Sequence, residues 1–404
     1  MRTVLVTGLG GAGRSTVAAA TALAGARDGA RTLLISADTV PGFPTATEPT
    51  AVADALWSVR IDSGAHFRSE LLALQDKLSG VLDLLGGNRM DGEELTELPG
   101  SAALAMLHAL RRAAQGDWSR AGYDLLVVDL PPLHEALALL ALPGQLRRYL
   151  RRLLPQERQA ARALRPMLAQ LAGVPMPAQW LYEAAARRDA ELADVQALIE
   201  DRATTLRLVA EPGPAAEDAL RAARTGIALH GLRVDALVAN RVLPRHAADP
   251  WFAALAGQQE KCLGHWHEER SAETPPLHMP HLGRDPQDPG DLAGLADDTP
   301  GLLPDSRDGG RAEDPWWIEE AGAPEGQDDA DGILVWCLRL PGAAKKDLQL
   351  VRRGNELLLT VGPFHRIVPL ESALRRCTVS GAALTDGVLR VRFTPDPGLW
   401  PNRS

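Results

Sequence analysis

At 404 residues with 45% hydrophobic side chains, the chain is long enough for roughly two or three domains with buried cores. A formal charge of −9 gives no overall basic field for nucleic acid, and the three cysteines, Cys262, Cys337 and Cys377, form no Cys-x-x-Cys pair, which argues against a disulfide framework or a tetrathiolate zinc site. No apolar run approaches the about 18 residues of a membrane span and no leader-like segment opens the chain, so a cytoplasmic protein with no integral membrane segment is expected.

The first element, "RTVLVTG" (2–8), is a near-continuous apolar strand that runs straight into "TGLGGAGRST" (7–16). Strand, glycine loop and helix start, in that order, aim backbone N–H groups and a helix N-terminus at an anion, and the glycines let the backbone approach phosphates. Written as a pattern the loop is G-x-x-x-x-G-R-[ST], one lysine short of the standard phosphate loop. Gly8, Gly10, Gly11, Ala12, Gly13, Arg14, Ser15 and Thr16 are therefore the candidate nucleotide-binding residues, with the Ser15 hydroxyl on Mg²⁺. The bland alternative is a glycine-rich turn with no ligand.

The second strand, "RTLLISAD" (31–38), ends on Asp38, and the third, "YDLLVVDL" (123–130), reaches Asp129. Carboxylates at the C-terminal ends of parallel strands adjoin the crevice where such sheets bind ligands. Asp129 is the candidate Mg²⁺ ligand, through water; Asp38 is the candidate to orient or deprotonate an attacking water, with Arg14 as the catalytic cation. Further apolar runs at 204–212, 234–244 and 275–281 alternate with helical spacing, predicting a mostly parallel α/β sheet covered on both faces over residues 1–283. Two Leu-, Ala- and Arg-rich insertions, 62–118 and 146–200, predict a helical subdomain. Leucine runs such as "ALALLALPGQL" and "RPMLAQLAGVPM" read either as core stripes or as a surface for a protein client.

Residues 284–332 carry 15 acidic side chains against 3 arginines and are crowded with Pro and Gly, so an acidic linker, much of it disordered, is expected there. Beyond it the pattern changes to period two. "ILVWCLRLPG", "DLQLVRRGNELLLTV", "FHRIVPL" and "DGVLRVRFTPDP", with turn residues at Arg353-Gly354-Asn355 and Asp386-Gly387, predict a small all-β sandwich over 333–397. Cys262, His265, His267, His278 and His281 bring metal-ligand types within 20 residues, in a spacing that matches no standard zinc module.

With these residues in view, the first 300 or so positions resemble the ArsA-type ATPases, the family of the arsenite-pump subunit and of the ATPases that target tail-anchored membrane proteins. "LLISAD" resembles the family's first switch, "VVDLPPLHEALALLALPGQLRRYLRRLLP" its second switch and following helix, and "RLVAEPGPAAEDALRAARTGIALHGLRVDALVANRVLP" the segment ending in an Asn-Arg motif. The resemblance implies a P-loop NTPase fold, ATP with Mg²⁺ as the cofactors, a homodimer, and adenine recognition by Asn240, with the loop near Met279-Pro280-His281 covering the base. The C-terminal segment resembles the α-crystallin-like, small-heat-shock-protein-type domain fused to some members, though "GLWPNRS" lacks the Ile-x-Ile/Val tail through which such proteins assemble.

Where the family's loop carries two lysines, one reaching across the dimer and one on the β and γ phosphates, this chain has Leu9 and Arg14. Arg14 keeps the charge with a planar fork in place of a compact ammonium; Leu9 removes a charge outright. Only four lysines stand against 39 arginines in the chain, so Arg14 also fits a general Lys-to-Arg drift. The switches depart as well, with Asp38-Thr39-Val40-Pro41 for Asp-Pro-Ala-His and Leu130-Pro131-Pro132 after Asp129. The cysteine sets for zinc and for metalloid are missing, which leaves arsenite transport with little support. The expectation is nucleotide binding with slow hydrolysis that gates a client. The alternatives are a non-hydrolysing, nucleotide-bound chaperone or scaffold and, ranked below it, a relative of the MinD and ParA partitioning ATPases.

Overall fold

The computed structural model describes residues 1–77, 79, 88–154, 178–245, 249–270, 275–303, 314–321 and 333–399. Strand β1 (Arg2–Gly8) forms because Val4, Leu5 and Val6 are apolar, β-prone and wholly covered. It is joined by β2 (Thr32–Ser36), β3 (Thr50–Ala53), β4 (Leu56–Arg60), β5 (Leu125–Asp129), β6 (Thr204–Ala210), β7 (Val234–Val242) and β8 (Leu277–Pro280). The spatial order is β3-β4-β2-β5-β1-β6-β7-β8, and every pair is parallel except β3 with β4. The mostly parallel α/β sheet is as expected from the apolar runs. β1 lies between β5 and β6, so the chain departs from it to one side and later fills the other. That reversal opens a crevice at the strands' C-terminal ends.

Helices cover both faces: α1 (Arg14–Arg27), α2 (Ser63–Lys77), α3 (Ser101–Gln115), α4 (Leu133–Leu153), α5 (Ala178–Glu200), α6 (Pro214–His230), α7 (Pro250–Arg270) and α8 (Pro289–Asp297). Successive β1 side chains feed opposite layers. Val4 and Val6 pack with the alanine stripe of α1 and with Leu292 and Leu295 of α8, whereas Leu5 belongs to the layer of α3, α4 and α6. The described parts of both insertions hold α2, α3, the end of α4 and α5, joined in the first by coil and turns over 88–100, and 155–177, including "RPMLAQLAGVPM", lie outside the described residues. In "ALALLALPGQL", Ala136, Leu137, Leu139, Leu140 and Pro143 are buried, so that run is a core stripe.

The C-terminal region is all antiparallel. Strands β9 (Trp316–Ala321), β10 (Ile333–Arg339), β11 (Leu348–Arg353), β12 (Glu356–Val361), β13 (Phe364–Pro369), β14 (Cys377–Thr385) and β15 (Val388–Pro395) form sheets ordered β14-β15-β10-β9 and β11-β12-β13; a short α9 (Ser372–Arg375) joins β13 to β14. The β14–β15 turn uses Asp386 and Gly387, both at positive φ, as their sequence foretold. The cores of the two regions meet: Leu229 of α6, Phe364 and Leu359 share one buried cluster.

Two regular elements correct the picture of 284–332 as a linker. Asp288 caps α8 by accepting from Asp291 N, Pro289 opens it, and Leu292, Ala293, Leu295 and Ala296 bury against α1. The acids face outward, where Arg284 holds Asp291 and Arg27 holds Asp297. Farther on, β9 pairs with β10, and Trp316 stacks on Trp336 with centroids 6.2 Å apart. Residues 304–313 and 322–332 lie outside the described ones. No described helix is long and apolar enough to cross a membrane.

Candidate functional site

The crevice between β1, β5 and β2 gathers the predicted residues. β1 ends at Gly8, the loop turns back with Ala12 N donating to Leu9 O, and Gly11 and Gly13 take positive φ of 78° and 85°. Gly13 is required twice over, because its backbone is left-handed and a Cβ there would lie 2.2 Å from Asn240 Nδ2. Among the described residues, the amides of Gly10, Gly11 and Gly13 donate to no other backbone group. The first-turn amides of α1, Arg14, Ser15 and Thr16, have no intrahelical acceptor either. The result is a concave run of donors on a helix N-terminus, suited to an anion. Leu9 turns away from it and packs, half-buried, against both core layers.

Asp129 is 3% exposed at the end of β5. Its Oδ2 accepts from Ser36 Oγ at 2.8 Å, while its Oδ1 is buried with no hydrogen-bond partner among the described residues. Burial pushes this carboxyl above the usual range, against the pull of the Ser15 and Ser36 hydroxyls and the Arg14 charge. An orphaned carboxylate oxygen in such a place fits a hard divalent cation, and with the Ser15 hydroxyl it makes an oxygen pair of the kind Mg²⁺ takes. Asp38, exposed, accepts from Ser15 Oγ at 3.2 Å and lies 3.9 Å from Arg14. Arg14 donates to Leu130 O, and Thr7 Oγ1 donates to Pro131 O at 2.7 Å, so the loop is tied to the segment that follows Asp129.

Asn240 comes to the same place, buried, with Nδ2 donating to Ala12 O at 2.8 Å. Beside it is the arginine of the Asn-Arg motif, to which the sequence assigns no role. Arg241 has φ 57° and donates to Gly11 O at 3.1 Å, flanked by Glu211 at 3.5 Å and Asp285 at 3.3 Å. The β7–β8 register slips between Ala239 and Val242, so Asn240 and Arg241 bulge out of the ladder and aim at consecutive loop carbonyls. Gln259 of α7 clamps the bulge, donating to Arg241 O at 3.2 Å and accepting from Leu243 N at 3.0 Å. Gln259→Ala is expected to cost about 1–3 kcal/mol by stripping two backbone groups of partners, measured by urea unfolding.

The Cys/His set does not assemble. His267 and His278 meet through Nε2 at 3.1 Å, His265 lies 3.5 Å from Glu217, and Cys262 is buried under Gly213 O. Among the described residues no three metal-binding side chains converge.

Comparison with known proteins matches residues 1–280 to a family described as anion-transporting ATPase (ArsA) and residues 331–393 to the HSP20-like domain found in ArsA. An uncharacterized protein of Streptomyces coelicolor is 53% identical, covering 99% of each chain. Protein Rv2184c of Mycobacterium tuberculosis is 30% identical over 99% of this chain and 97% of its own. A protein of Aquifex aeolicus named "Putative arsenical pump-driving ATPase 1" is 25% identical over 93% and 95% of the two chains.

Proposed function

Because the chain belongs to the ArsA anion-transporting ATPase family, with an HSP20-like domain at its C-terminal end, we propose that it binds ATP with Mg²⁺ in the β1–β5 crevice and hydrolyses it slowly to gate a protein partner. The observation that carries this reading is the buried Asp129 Oδ1, unpartnered among the described residues, at the foot of a loop whose Gly10, Gly11 and Gly13 amides meet no backbone acceptor among them. The loop amides would receive the phosphates, and Ser15 and Asp129 would hold the metal, Asp129 through water. Asn240 would meet the adenine. Bound Mg²⁺ would supply charge neutralisation on the phosphates.

Asp38, exposed at the rim, would orient or deprotonate water, and Arg14 would supply the cation of the loop. Both departures weaken turnover. Leu9 is committed to core packing and offers a neighbouring protomer no charge, while Arg14 is drawn to Leu130 O. In this reading two copies pair, a client is captured in the cytoplasm, and the nucleotide governs the exchange.

Equilibrium binding of ATP and ADP with Mg²⁺ tests the first step; no affinity at millimolar concentration overturns it. For the second, the Leu9→Lys/Arg14→Lys double variant is expected to hydrolyse ATP about 10- to 100-fold faster than wild type. Wild-type turnover already equal to that of the double variant would overturn slow hydrolysis. The burial of Leu9 also favours a second reading, a scaffold that keeps nucleotide as a structural ligand while the HSP20-like domain holds clients. Retention of client holding by a variant unable to bind nucleotide would select it.

A further inference from the structure

Helix α4 starts at Leu133, directly after the segment that Arg14 and Thr7 grip through Leu130 O and Pro131 O, and ends at Leu153. Twenty-one residues make it about 30 Å long. The HSP20-like domain touches both its ends. In the first turn the His134 ring lies on Phe364 of β13, with centroids 5.8 Å apart. In the last turns Arg148 grips both carboxylate oxygens of Glu356 on β12, at 3.1 and 2.9 Å, and Arg152 adds a bond at 3.0 Å.

Between these contacts the helix carries Pro143 followed by Gly144. Proline has no N–H to return to Leu139 O and glycine has the weakest hold on helical geometry, so this is where the helix bends most easily. The HSP20-like domain therefore splints the helix across its softest point. A second seam fixes the splint. Phe364 packs directly on Gly226 of α6, where a Cβ would come within 2.6 Å of the ring; Thr225 Oγ1 donates to Pro341 O at 2.7 Å, and Arg366 donates to Leu229 O.

We propose that the HSP20-like domain is an intramolecular effector of the nucleotide site, docked on the helix that follows Asp129 and opposing nucleotide binding while it is docked. This rests on the nucleotide reading above. In the arrangement described, Arg14 is engaged with Leu130 O and Ser15 with Asp38, so a Mg²⁺-bound triphosphate takes up those two side chains only by exchanging these contacts. Four residues after Leu130 comes His134, and a shift there bears on Phe364. Docking holds α4 in the form that keeps Leu130 beside Arg14. By linkage, nucleotide loosens the docked domain by the same factor that docking weakens nucleotide binding.

The test uses the full chain as wild type, Glu356→Gln, Phe364→Ala and Gly226→Ala. None of these residues touches the loop, and Glu356→Gln keeps shape while removing charge. The expected result is ATP binding about fivefold or more tighter in the variants, with ATP and Mg²⁺ raising amide exchange at residues 226–231 and 364–368 of the wild type. Variants that exchange faster over 364–368 yet bind ATP within twofold of wild type, or more weakly, overturn the coupling and leave the nucleotide reading intact. A wild type that binds no ATP overturns both. Should Phe364→Ala fail to fold, Glu356→Gln and Gly226→Ala carry the same comparison.

Discussion

Asp235→Ala is expected to lower the unfolding free energy by about 3–5 kcal/mol, the largest single-residue loss in the ATPase region, read from the urea midpoint. Arg207 on β6 has a side chain with no exposure, and Asp235 on β7 has one with 3%. The guanidinium joins two elements and the segment beyond a third. It holds Asp235 at 3.0 Å, Thr21 of α1 at 3.0 Å and Leu302 O, beyond α8, at 2.6 Å. Asp235 in turn accepts from Thr205 at 3.1 Å, and a register slip between Leu206 and Arg207 makes Asp235 the extra residue that faces the arginine.

Removing the carboxylate leaves a guanidinium buried without its counter-charge, whereas exchanging both residues for leucine removes the desolvation on both sides. The Arg207→Leu/Asp235→Leu pair should therefore recover most of the loss, and can exceed wild type. Equal destabilisation by the single and double variants would show that the hydrogen bonds to Thr21 and Leu302, rather than the ion pair, hold the region. The same pair sets how β6 lies against β7. Those strands deliver Val209 O to the Leu9 amide and Asn240 to Ala12 O, so the pair also supports the loop's shape.

The parts of the site that could be read from residues alone are those in which local pattern and function coincide. A glycine loop needs its glycines wherever it lies, and an aspartate after four apolar β residues emerges at a strand end in any parallel sheet. The sandwich announced itself through alternation and paired positive-φ turns. What escaped notice depends on distant partners. Arg241, though part of a visible Asn-Arg motif, lies on a bulge that Gln259 stabilises from 18 residues away, and neither period nor composition marks its contact with the loop.

Composition misled at α8 and β9 for a related reason. Averaging over an acidic, proline-rich stretch hides that Asp291 and Asp297 sit on the solvent face of a helix whose other face is Leu292 and Leu295. The hairpin β3–β4, nine residues of strand with Ala55 turning at φ 57°, is too short to give a period. The meeting of His134 with Phe364 joins positions 230 apart in sequence, and neither residue type signals it.

Asp129→Asn should separate stability from function most sharply. Its carboxyl is pushed up by burial, so in the folded chain it holds its proton to higher pH than when unfolded. The favourable contribution is complete below the unfolded carboxyl's titration and is lost as pH rises through the raised folded value. Asparagine does not titrate and can still accept from Ser36. The variant should therefore match or trail wild type in acid, then gain in Tm relative to it as pH rises, levelling off above the raised value. In exchange, it should lose Mg²⁺-dependent ATP binding and reduce any turnover by about 100-fold or more.

Ligand reverses the order of the two proteins. At ATP and Mg²⁺ concentrations near 100 times Kd, wild type gains about 2.7 kcal/mol from binding and the variant gains almost none. Thermal unfolding with and without MgATP at neutral pH thus reads both effects in one experiment. A variant that is less stable than wild type at neutral pH without ligand would mean the buried carboxylate is fully compensated by its hydroxyl neighbours. One whose Tm rises with MgATP as much as the wild type's would remove Asp129 from the metal site, and with it the reason its second oxygen is left without a partner.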